Sequence, residues 1–297
     1  MLKKGSNVII YIISLYLLSW SLKIIFGFYH IPSESMAPTL EKDDWIFVSK
    51  FPFVFRSPEY YPLTKINFPY WHSGTIIKPK NDDLITFVYP ISIQKHPSER
   101  STLIKRCIGL PNDTLYILPS GDIITKTGIY RPKTMSDGGY SKVKSVQIYS
   151  EQDTINLSSL SIQKLKDHKF LSTKWNIVGI KANYLSFSID NITMIVIPKK
   201  GMNINLLNSN ASRWTELIGR DINIYDEKET SKIKIDSIIT NGNYSFTQNF
   251  YFFIGDNMFN SDDSRIWQSV PEKLIIGKVL FQFRWNPLKL NRFKWLG

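Results

Sequence analysis

The sequence predicts a mostly β protein with one transmembrane helix at its N-terminus and a second β domain inserted into the first. Three observations lead to this fold class. An apolar stretch comes first, short runs rich in branched and aromatic residues follow it, and a more polar segment interrupts those runs. Almost no stretch after the apolar one has the 3.6-residue periodicity of an amphipathic helix.

The N-terminal apolar stretch covers residues 8–28, and its only charged residue is Lys23 near the far end. About 20 such residues cross a bilayer as a helix, and the long Lys23 side chain can reach the interface. A cleavable signal peptide is the alternative, but the run is too long and no small-residue cleavage site follows it. Lys3 and Lys4 favour a cytoplasmic N-terminus. The sequence therefore predicts a cytoplasmic N-terminus and an uncleaved anchor over residues 1–29, with the rest of the chain outside.

Strand-like runs and composition divide the remaining chain into two predicted β domains. The runs lie at residues 44–50, 83–89, 102–109, 193–198, 250–256 and 275–285. Several are apolar on both alternating faces, which indicates strands buried on both sides. Residues 30–118 and 247–297 are predicted to form the main β domain, with an extended loop rich in Pro and aromatics at 51–82. Residues 119–246, richer in Ser, Asn, Thr and Lys, are predicted to form the inserted domain.

Composition excludes several function classes. The net charge is +12, from 37 Lys and Arg against 25 Asp and Glu, but the lysines are scattered and form no basic helix. We therefore expect no nucleic-acid partner. Cys107 is the only cysteine, so the chain can form neither an intrachain disulfide nor a cysteine-based zinc site. The four histidines lie far apart and outside any HExxH-like motif, and we expect no metal and no cofactor.

The run IPSESMAPTL at residues 31–40 places two serines directly after the apolar stretch. A serine hydroxyl is a weak nucleophile until a base removes its proton. No histidine has a convincing companion carboxylate, so a lysine is the other established base. Such a lysine must be neutral, which requires burial to lower its pKa by roughly 3. If residues 32–36 are extended, Ser33 and Ser35 project to one side and Glu34 to the other.

The run LIKRCIG supplies a candidate base in Lys105. On a strand, Lys105 shares a face with Leu103 and Cys107, while Arg106 points the other way. A lysine with apolar neighbours on its own face is uncommon, because most basic side chains are solvated. Cys107 has no evident histidine partner and is interpreted as a core residue. The sequence thus offers a lysine that a buried strand could hold in its neutral form.

Four motifs resemble the signatures of bacterial type I signal peptidases, which are membrane-anchored Ser-Lys proteases. IPSESMAPTL resembles the serine box, and LIKRCIGLPNDTL resembles the lysine box with its Gly-Leu-Pro-Gly-Asp-like turn. GDNMFNSDDSRIWQSVP at residues 255–271 resembles the Gly-Asp-Asn box, and DLITFVYP resembles the strand between the first two. The motifs stand in the family's order, whereas residues 119–246 match only in general character.

The resemblance implies a signal-peptidase-like catalytic β domain that removes signal peptides from exported preproteins after small residues at positions −3 and −1, through an acyl-enzyme. Ser35 would be the nucleophile and Lys105 the general base. The Ser35 backbone N–H and the Ser33 hydroxyl would form the oxyanion hole, and Ser261 would orient the lysine. The partners would be preproteins and a lipid bilayer, with the catalytic domain on the periplasmic side of a bacterial inner membrane.

The resemblance also assigns supporting and substrate-binding residues. Ion pairs that shape the site are expected among Arg106, Asp256, Asp263 and Arg265. Shallow apolar pockets for the small substrate residues are expected to be lined by Ile31, Pro32, Met36, Leu40, Ile46 and Ile104.

The sequence departs from the family pattern at Met258 and Phe259, where many members have an arginine and a second polar residue. Asn112 replaces the usual glycine of the turn and still tolerates positive φ. Two alternatives stay open. One is a non-catalytic, membrane-anchored module that binds signal peptides, which Met258-Phe259 would favour. The other is a Ser-Lys protease that cleaves itself, against which the anchor and the absence of a DNA-binding helical domain both count.

Overall fold

The structure is a computed structural model and describes residues 2–57, 66, 69, 71–91, 99–118, 121–132, 140–143, 147–149, 154–156, 193–206, 211–222, 236–284 and 292–297. The helices include α1 (Leu2–Ile25), α2 (Ala211–Ile222) and α3 (Ser264–Trp267), residues 236–241 are also helical, and Glu272–Leu274 form a 3-10 turn. The strands are β1 (Phe26–His30), β2 (Trp45–Ser49), β3 (Val54–Arg56), β4 (His72–Thr75), β5 (Leu84–Val88), β6 (Thr102–Gly109), β7 (Thr114–Ile117), β8 (Ile123–Thr125), β9 (Gly128–Pro132), β10 (Tyr140–Val143), β11 (Gln147–Tyr149), β12 (Thr154–Asn156), β13 (Thr193–Val196), β14 (Asn203–Asn205), β15 (Asn243–Ser245), β16 (Phe250–Ile254), β17 (Val270–Pro271), β18 (Ile275–Arg284) and β19 (Arg292–Trp295).

Helix α1 covers most of the predicted anchor and ends at Ile25. Residues 26–28, which the sequence analysis assigned to the anchor, lie instead in strand β1, so the predicted end of the helix was wrong. The reason is cross-strand pairing, because Phe26 to His30 form a complete antiparallel ladder with β2. Among the described residues, no helix combines the length and the apolar character needed to cross a membrane.

The main sheet has eight strands, in the order β1-β2-β18-β5-β6-β16-β17, with β19 paired to β18. Its pairings are antiparallel throughout. The six predicted strands are all present, as β2, β5, β6, β13, β16 and β18. Every residue of β5 and β16 is buried, as the apolar character of both their faces indicated. The prediction of a mostly β fold is thereby confirmed.

A second sheet has five strands in the order β10-β9-β8-β7-β13. Buried apolar side chains from both sheets meet in what we call the inter-sheet cluster, which includes Ile108, Leu115, Tyr130, Leu217, Tyr244, Phe252 and Met258. Because the two sheets share this cluster, they bury apolar surface against each other. The predicted domain boundary at residue 119 stays a prediction, and β7 already belongs to the second sheet.

Helix α2 lies in the segment that the sequence analysis interpreted as β, so that interpretation was wrong for these residues. Trp214, Leu217 and Ile218 recur at helical spacing and pack in or against the inter-sheet cluster. The helix has 12 residues, and its few apolar side chains stand on one face of an otherwise polar segment. Packing on the shared core therefore decides its conformation.

The extended loop expected at residues 51–82 contains the antiparallel pair β3–β4. Residues 58–65, 67, 68 and 70 of this loop lie outside the described residues. Much of the predicted inserted domain, including residues 157–192 and 223–235, lies outside them as well.

Candidate active site

A backbone hydrogen bond joins the two ends of the turn that carries the two serines. The Ile31 N–H donates a hydrogen bond to the Asp44 carbonyl at 2.8 Å. The Asp44 side chain is fully buried and accepts hydrogen bonds from Gln282 and Arg284 of β18. Strand β18, near the middle of the main sheet, therefore fixes the ends of this segment. We call the segment the serine turn (residues 31–44).

Inside the serine turn the backbone is folded, which corrects the extended conformation expected for residues 32–36. The Ala37 N–H donates to the Glu34 carbonyl at 3.0 Å, and the Leu40 N–H donates to the Met36 carbonyl at 2.9 Å. These residues form no ladder with any strand of the described chain. Local turn bonds satisfy part of their backbone groups instead.

The two serine hydroxyls lie close together despite the folded backbone. Their Oγ atoms are 3.5 Å apart. Ser33 is exposed and Ser35 is half-buried. Glu34 between them is exposed, in agreement with the sequence interpretation of a solvated carboxylate. A group bound at Ser35 can therefore reach the Ser33 hydroxyl.

Lys105 reaches the serine turn from strand β6. Its Nζ atom donates to Ser35 Oγ at 2.7 Å and to Ser261 Oγ at 2.9 Å. The residue is only 3% exposed, and it lies opposite Ile85 in the β5–β6 pairing. Burial lowers the pKa of Lys105 from its ordinary value of 10.5 to about 8, although the nearby Asp263 carboxylate raises it. The amine therefore loses its proton more easily than a solvated lysine does.

The segment between β16 and α3 places Ser261 next to Lys105. Asp263 caps the start of α3 and accepts a hydrogen bond from the Gly255 N–H at 3.0 Å. Arg265 donates to both carboxylate oxygens of Asp263, each at 2.8 Å. Asp263 is fully buried, and this bidentate pair closes the loop that presents Ser261.

A second ion pair lies on the opposite side of β6. Arg106 donates to both oxygens of the buried Asp256, at 2.7 and 2.6 Å. It also donates to the Asp82 carbonyl at 2.8 Å and to the Thr39 hydroxyl at 3.4 Å. Since Thr39 belongs to the serine turn, Arg106 links β6, the Gly-Asp-Asn segment and that turn.

Asn257 binds the backbone of the serine turn directly. Its N–H donates to the Ser35 carbonyl at 3.1 Å, and its side-chain amide donates to the Glu34 carbonyl at 3.3 Å. Gly255 permits this close approach, because a Cβ atom there would lie 2.5 Å from the Ser35 carbonyl oxygen and 2.1 Å from Ser261 Oγ. The sequence analysis assigned a role to neither residue, although both stand in the quoted Gly-Asp-Asn motif.

The structure brings together five of the six residues expected to line the substrate pocket. They are Ile31, Met36, Leu40, Ile46 and Ile104, which belong to or pack against one apolar cluster. Pro32 is exposed and lies outside that cluster. Leu40 and Ile46 have no exposed surface, so they form the inner part of the cluster. Both Met36 and Leu40 belong to the serine turn itself.

The two residues that depart from the family pattern have different environments. Met258 is buried in the inter-sheet cluster, whereas Phe259 is 73% exposed. Cys107 is also buried, packs in the core of the main sheet, and burial raises the pKa of its thiol. This agrees with its interpretation as a core residue.

Comparison with known proteins identifies the family. The sequence matches the family described as signal peptidase, peptidase S26, over residues 5–159 and 190–285. The chain belongs to this family. It is 30% identical over 272 residues to signal peptidase I of Buchnera aphidicola subsp. Acyrthosiphon pisum, which covers 90% of this chain and 70% of the relative. It is 29% identical over 255 residues to signal peptidase I of Buchnera aphidicola subsp. Baizongia pistaciae, with 85% of this chain and 68% of the relative covered. Family membership supports signal-peptide cleavage as the general activity.

Replacing Gly255 by alanine should push apart Ser261 and the Ser35 carbonyl, which both lie against residue 255. The added Cβ atom has no room beside Ser261 and the Ser35 carbonyl, so one of them must move. A displacement near 1 Å at reacting groups costs about 100-fold in rate. We expect Gly255→Ala to lower kcat for cleavage of a signal-peptide substrate by about that factor, with an unchanged far-UV circular dichroism spectrum.

The control is Gly201→Ala, where nothing lies within 4 Å of the added atom. Since Gly201 has a positive φ of 78°, this variant should lose some stability and keep its kcat. Equal kcat values for Gly255→Ala and the wild type would contradict the close packing inferred at residue 255.

Proposed function

We propose that the chain is a membrane-anchored signal peptidase I in which Ser35 is the nucleophile and Lys105 is the general base. The observation that carries this proposal is the 2.7 Å contact between Lys105 Nζ and Ser35 Oγ, made by a lysine whose pKa burial lowers to about 8. A neutral amine at this distance can accept the hydroxyl proton. An ordinary solvated lysine could not, because only about one in a few thousand is neutral at pH 7.

Acylation begins when Ser35 Oγ attacks the scissile carbonyl carbon and its proton passes to Lys105 Nζ. The carbonyl oxygen then carries the negative charge of the tetrahedral intermediate. The Ser33 hydroxyl, 3.5 Å from Ser35 Oγ, and the Ser35 backbone N–H are the proposed donors to this oxyanion. A single donor of this kind is worth about 3–4 kcal/mol.

Collapse of the intermediate breaks the peptide bond and leaves an ester on Ser35. The protonated Lys105 amine gives its proton to the departing amino group, and the mature protein is released. Water then attacks the ester with Lys105 again as base, which frees the signal peptide and restores the hydroxyl. Ser261, 2.9 Å from Lys105 Nζ, would keep the amine directed at Ser35 through both steps.

Substrate selection is proposed to use the apolar cluster beside the serine turn. Ile31 and Met36 of the serine turn belong to this cluster, and Ile104 of β6, next to Lys105 in sequence, packs against it. Most of the cluster is tightly buried, so little space is left for a large side chain. Small residues at positions −1 and −3 of an extended signal peptide would fit there, with main-chain hydrogen bonds supplying affinity. Exported preproteins are therefore the proposed substrates.

Membrane attachment is proposed through the N-terminal segment. Ile10, Leu15 and Leu18 of α1 are exposed apolar side chains, which a soluble surface rarely presents in such a series. The helix is joined to the main sheet by a hydrogen bond from Lys50 Nζ to the Lys23 carbonyl at 2.8 Å. A bacterial inner-membrane location follows in this proposal, with the catalytic domain (30–118 and 247–297) and the insertion 119–246 on the periplasmic side.

Removing either reacting group should abolish cleavage. We expect Ser35→Ala and Lys105→Met to lower kcat by at least about 10⁴-fold, because residues that act as one unit each cost nearly the whole effect. Methionine keeps the volume of the buried lysine stem while removing the amine. The measurement is cleavage of a purified preprotein, followed by gel shift and mass spectrometry.

Ser245→Ala and Lys199→Met are the matched controls, since both residues are exposed, and their kcat should equal that of the wild type. A wild-type chain that binds signal peptides without cleaving them would instead indicate the non-catalytic module. Processing confined to the chain's own peptide bonds would indicate the self-cleaving protease.

The pH profile should report the titration of Lys105. Only the neutral amine can act as base, so kcat/KM should fall about tenfold per pH unit below the lysine pKa. We expect a single acid limb with a midpoint of about 8 and a plateau above it. Measurement from pH 5 to 10 with a peptide substrate tests this. A midpoint near 6.5, typical of histidine, would rule out Lys105 as the base.

Membrane attachment can be tested by fractionation. Full-length protein expressed in a bacterial cell should stay in the membrane pellet after alkaline carbonate washing, because a chain that crosses the bilayer is not released when its surface charge contacts are broken. A chain lacking residues 2–25 should move to the wash. Recovery of the full-length chain in the carbonate wash would contradict the proposed anchor.

A further inference from the structure

We propose that the second sheet positions the catalytic groups through one hydrogen bond, from the Tyr130 hydroxyl to the side chain of Asp82. The two atoms are 2.6 Å apart. Tyr130 lies on β9 in the second sheet, and Asp82 precedes β5 in the main sheet. This inference rests on the proposed function, and it gives part of the inserted segment a role in the reaction.

Asp82 has a backbone conformation that fixes where its carbonyl points. Its φ is +74°, in a region where side chains other than glycine are strained but aspartate is among the better tolerated. The Asp82 N–H donates to the Cys107 carbonyl at 2.8 Å, and the Cys107 N–H donates to the Asp83 carbonyl at 2.9 Å. The turn is thus attached to β6 two residues beyond Lys105.

The Asp82 carbonyl acts on Arg106. It accepts a hydrogen bond from Arg106 Nη1 at 2.8 Å, while the rest of the guanidinium forms the bidentate pair with Asp256. Asn257, next along the chain, donates to the Ser35 carbonyl. A shift of the Asp82 turn would therefore move Arg106 and, through Asp256, the residue that holds the nucleophile in place.

Tyr130 gives the Asp82 turn a rigid partner. The residue has no exposed surface and its ring packs in the inter-sheet cluster, so the position of its hydroxyl is set by the core. A buried hydroxyl needs a hydrogen-bond partner, and a carboxylate oxygen at 2.6 Å is a strong acceptor. Glycine would suit the positive φ at residue 82 but could not bind Tyr130. Aspartate provides both the backbone conformation and the acceptor.

Tyr130→Phe is the test, because it removes the hydroxyl and keeps the ring in the core. We expect kcat for preprotein cleavage to fall about tenfold with KM unchanged, since the reacting groups would be misplaced while the substrate-binding cluster stays intact. The acid limb of the pH profile should stay in place, because the lost hydroxyl is neutral.

Tyr244→Phe is the matched control. Tyr244 is also buried in the inter-sheet cluster, and its hydroxyl donates to a carboxylate, that of Asp221. Both variants should lose similar thermal stability, but only Tyr130→Phe should lose kcat. If the two variants have equal kcat values, the hydrogen bond has a structural role alone and the proposal is overturned.

Asp82→Gly tests the same link from its other end and serves if Tyr130→Phe does not fold. It should show the same loss of kcat, and adding Tyr130→Phe to it should cause little further loss, because both changes remove one interaction. A wild-type kcat for Asp82→Gly would overturn the proposal. Wild-type and Ser35→Ala chains are assayed alongside. An inactive wild type would reject the proposed function itself, whereas an active wild type with unaffected variants would reject only the positioning role.

Discussion

The site depends on the burial of one amine. Lys105 is almost completely removed from solvent, and burial is the largest cause of its lowered pKa. A change from 10.5 to about 8 corresponds to about 3 kcal/mol of differential free energy between the charged and neutral forms. At pH 7 about one amine in ten would then be neutral. The main sheet supplies this environment, because β6 lies between β5 and β16 and both neighbours are buried along their whole length.

The carboxylates near Lys105 would oppose this effect if they were unpaired. Asp263 raises the pKa of Lys105, and Arg265 lowers it. Arg265 binds both oxygens of Asp263. Its positive charge therefore offsets much of the effect of the Asp263 carboxylate on the pKa of Lys105. Asp256 is compensated in the same way by Arg106. Each ion pair thus has two effects: it holds a loop in place and it weakens the negative charge that acts on Lys105, which leaves the exposed Asp262 as the other carboxylate that raises the pKa of the amine.

The sequence predicted the parts of this arrangement that depend on local pattern. Runs of branched and aromatic residues predicted β5, β6 and β16, and strand alternation predicted a lysine among apolar neighbours at residue 105. The proximity of Ser33 and Ser35 was predicted from an extended backbone, whereas the turn around Glu34 produces it. The backbone contacts of Asn257 were not predicted, because they join distant parts of the chain; Asn257 and Glu34 are 223 positions apart. Helix α2 was missed because its conformation depends on a core formed by distant strands.

The residues at 258 and 259 show how the fold accommodates a departure from the family pattern. Met258 follows Asn257 directly and is buried in the inter-sheet cluster, so apolar packing restrains the backbone that binds the serine turn. The two buried carboxylates of this region, Asp256 and Asp263, already have bidentate arginine partners. An arginine at residue 258 would place its charge in the apolar inter-sheet cluster, where burial costs free energy unless a carboxylate pairs with it. In this chain, packing takes the place of a third charge. The same cluster contains Tyr130. One apolar core therefore restrains both Met258, next to Asn257, and the hydroxyl that binds Asp82.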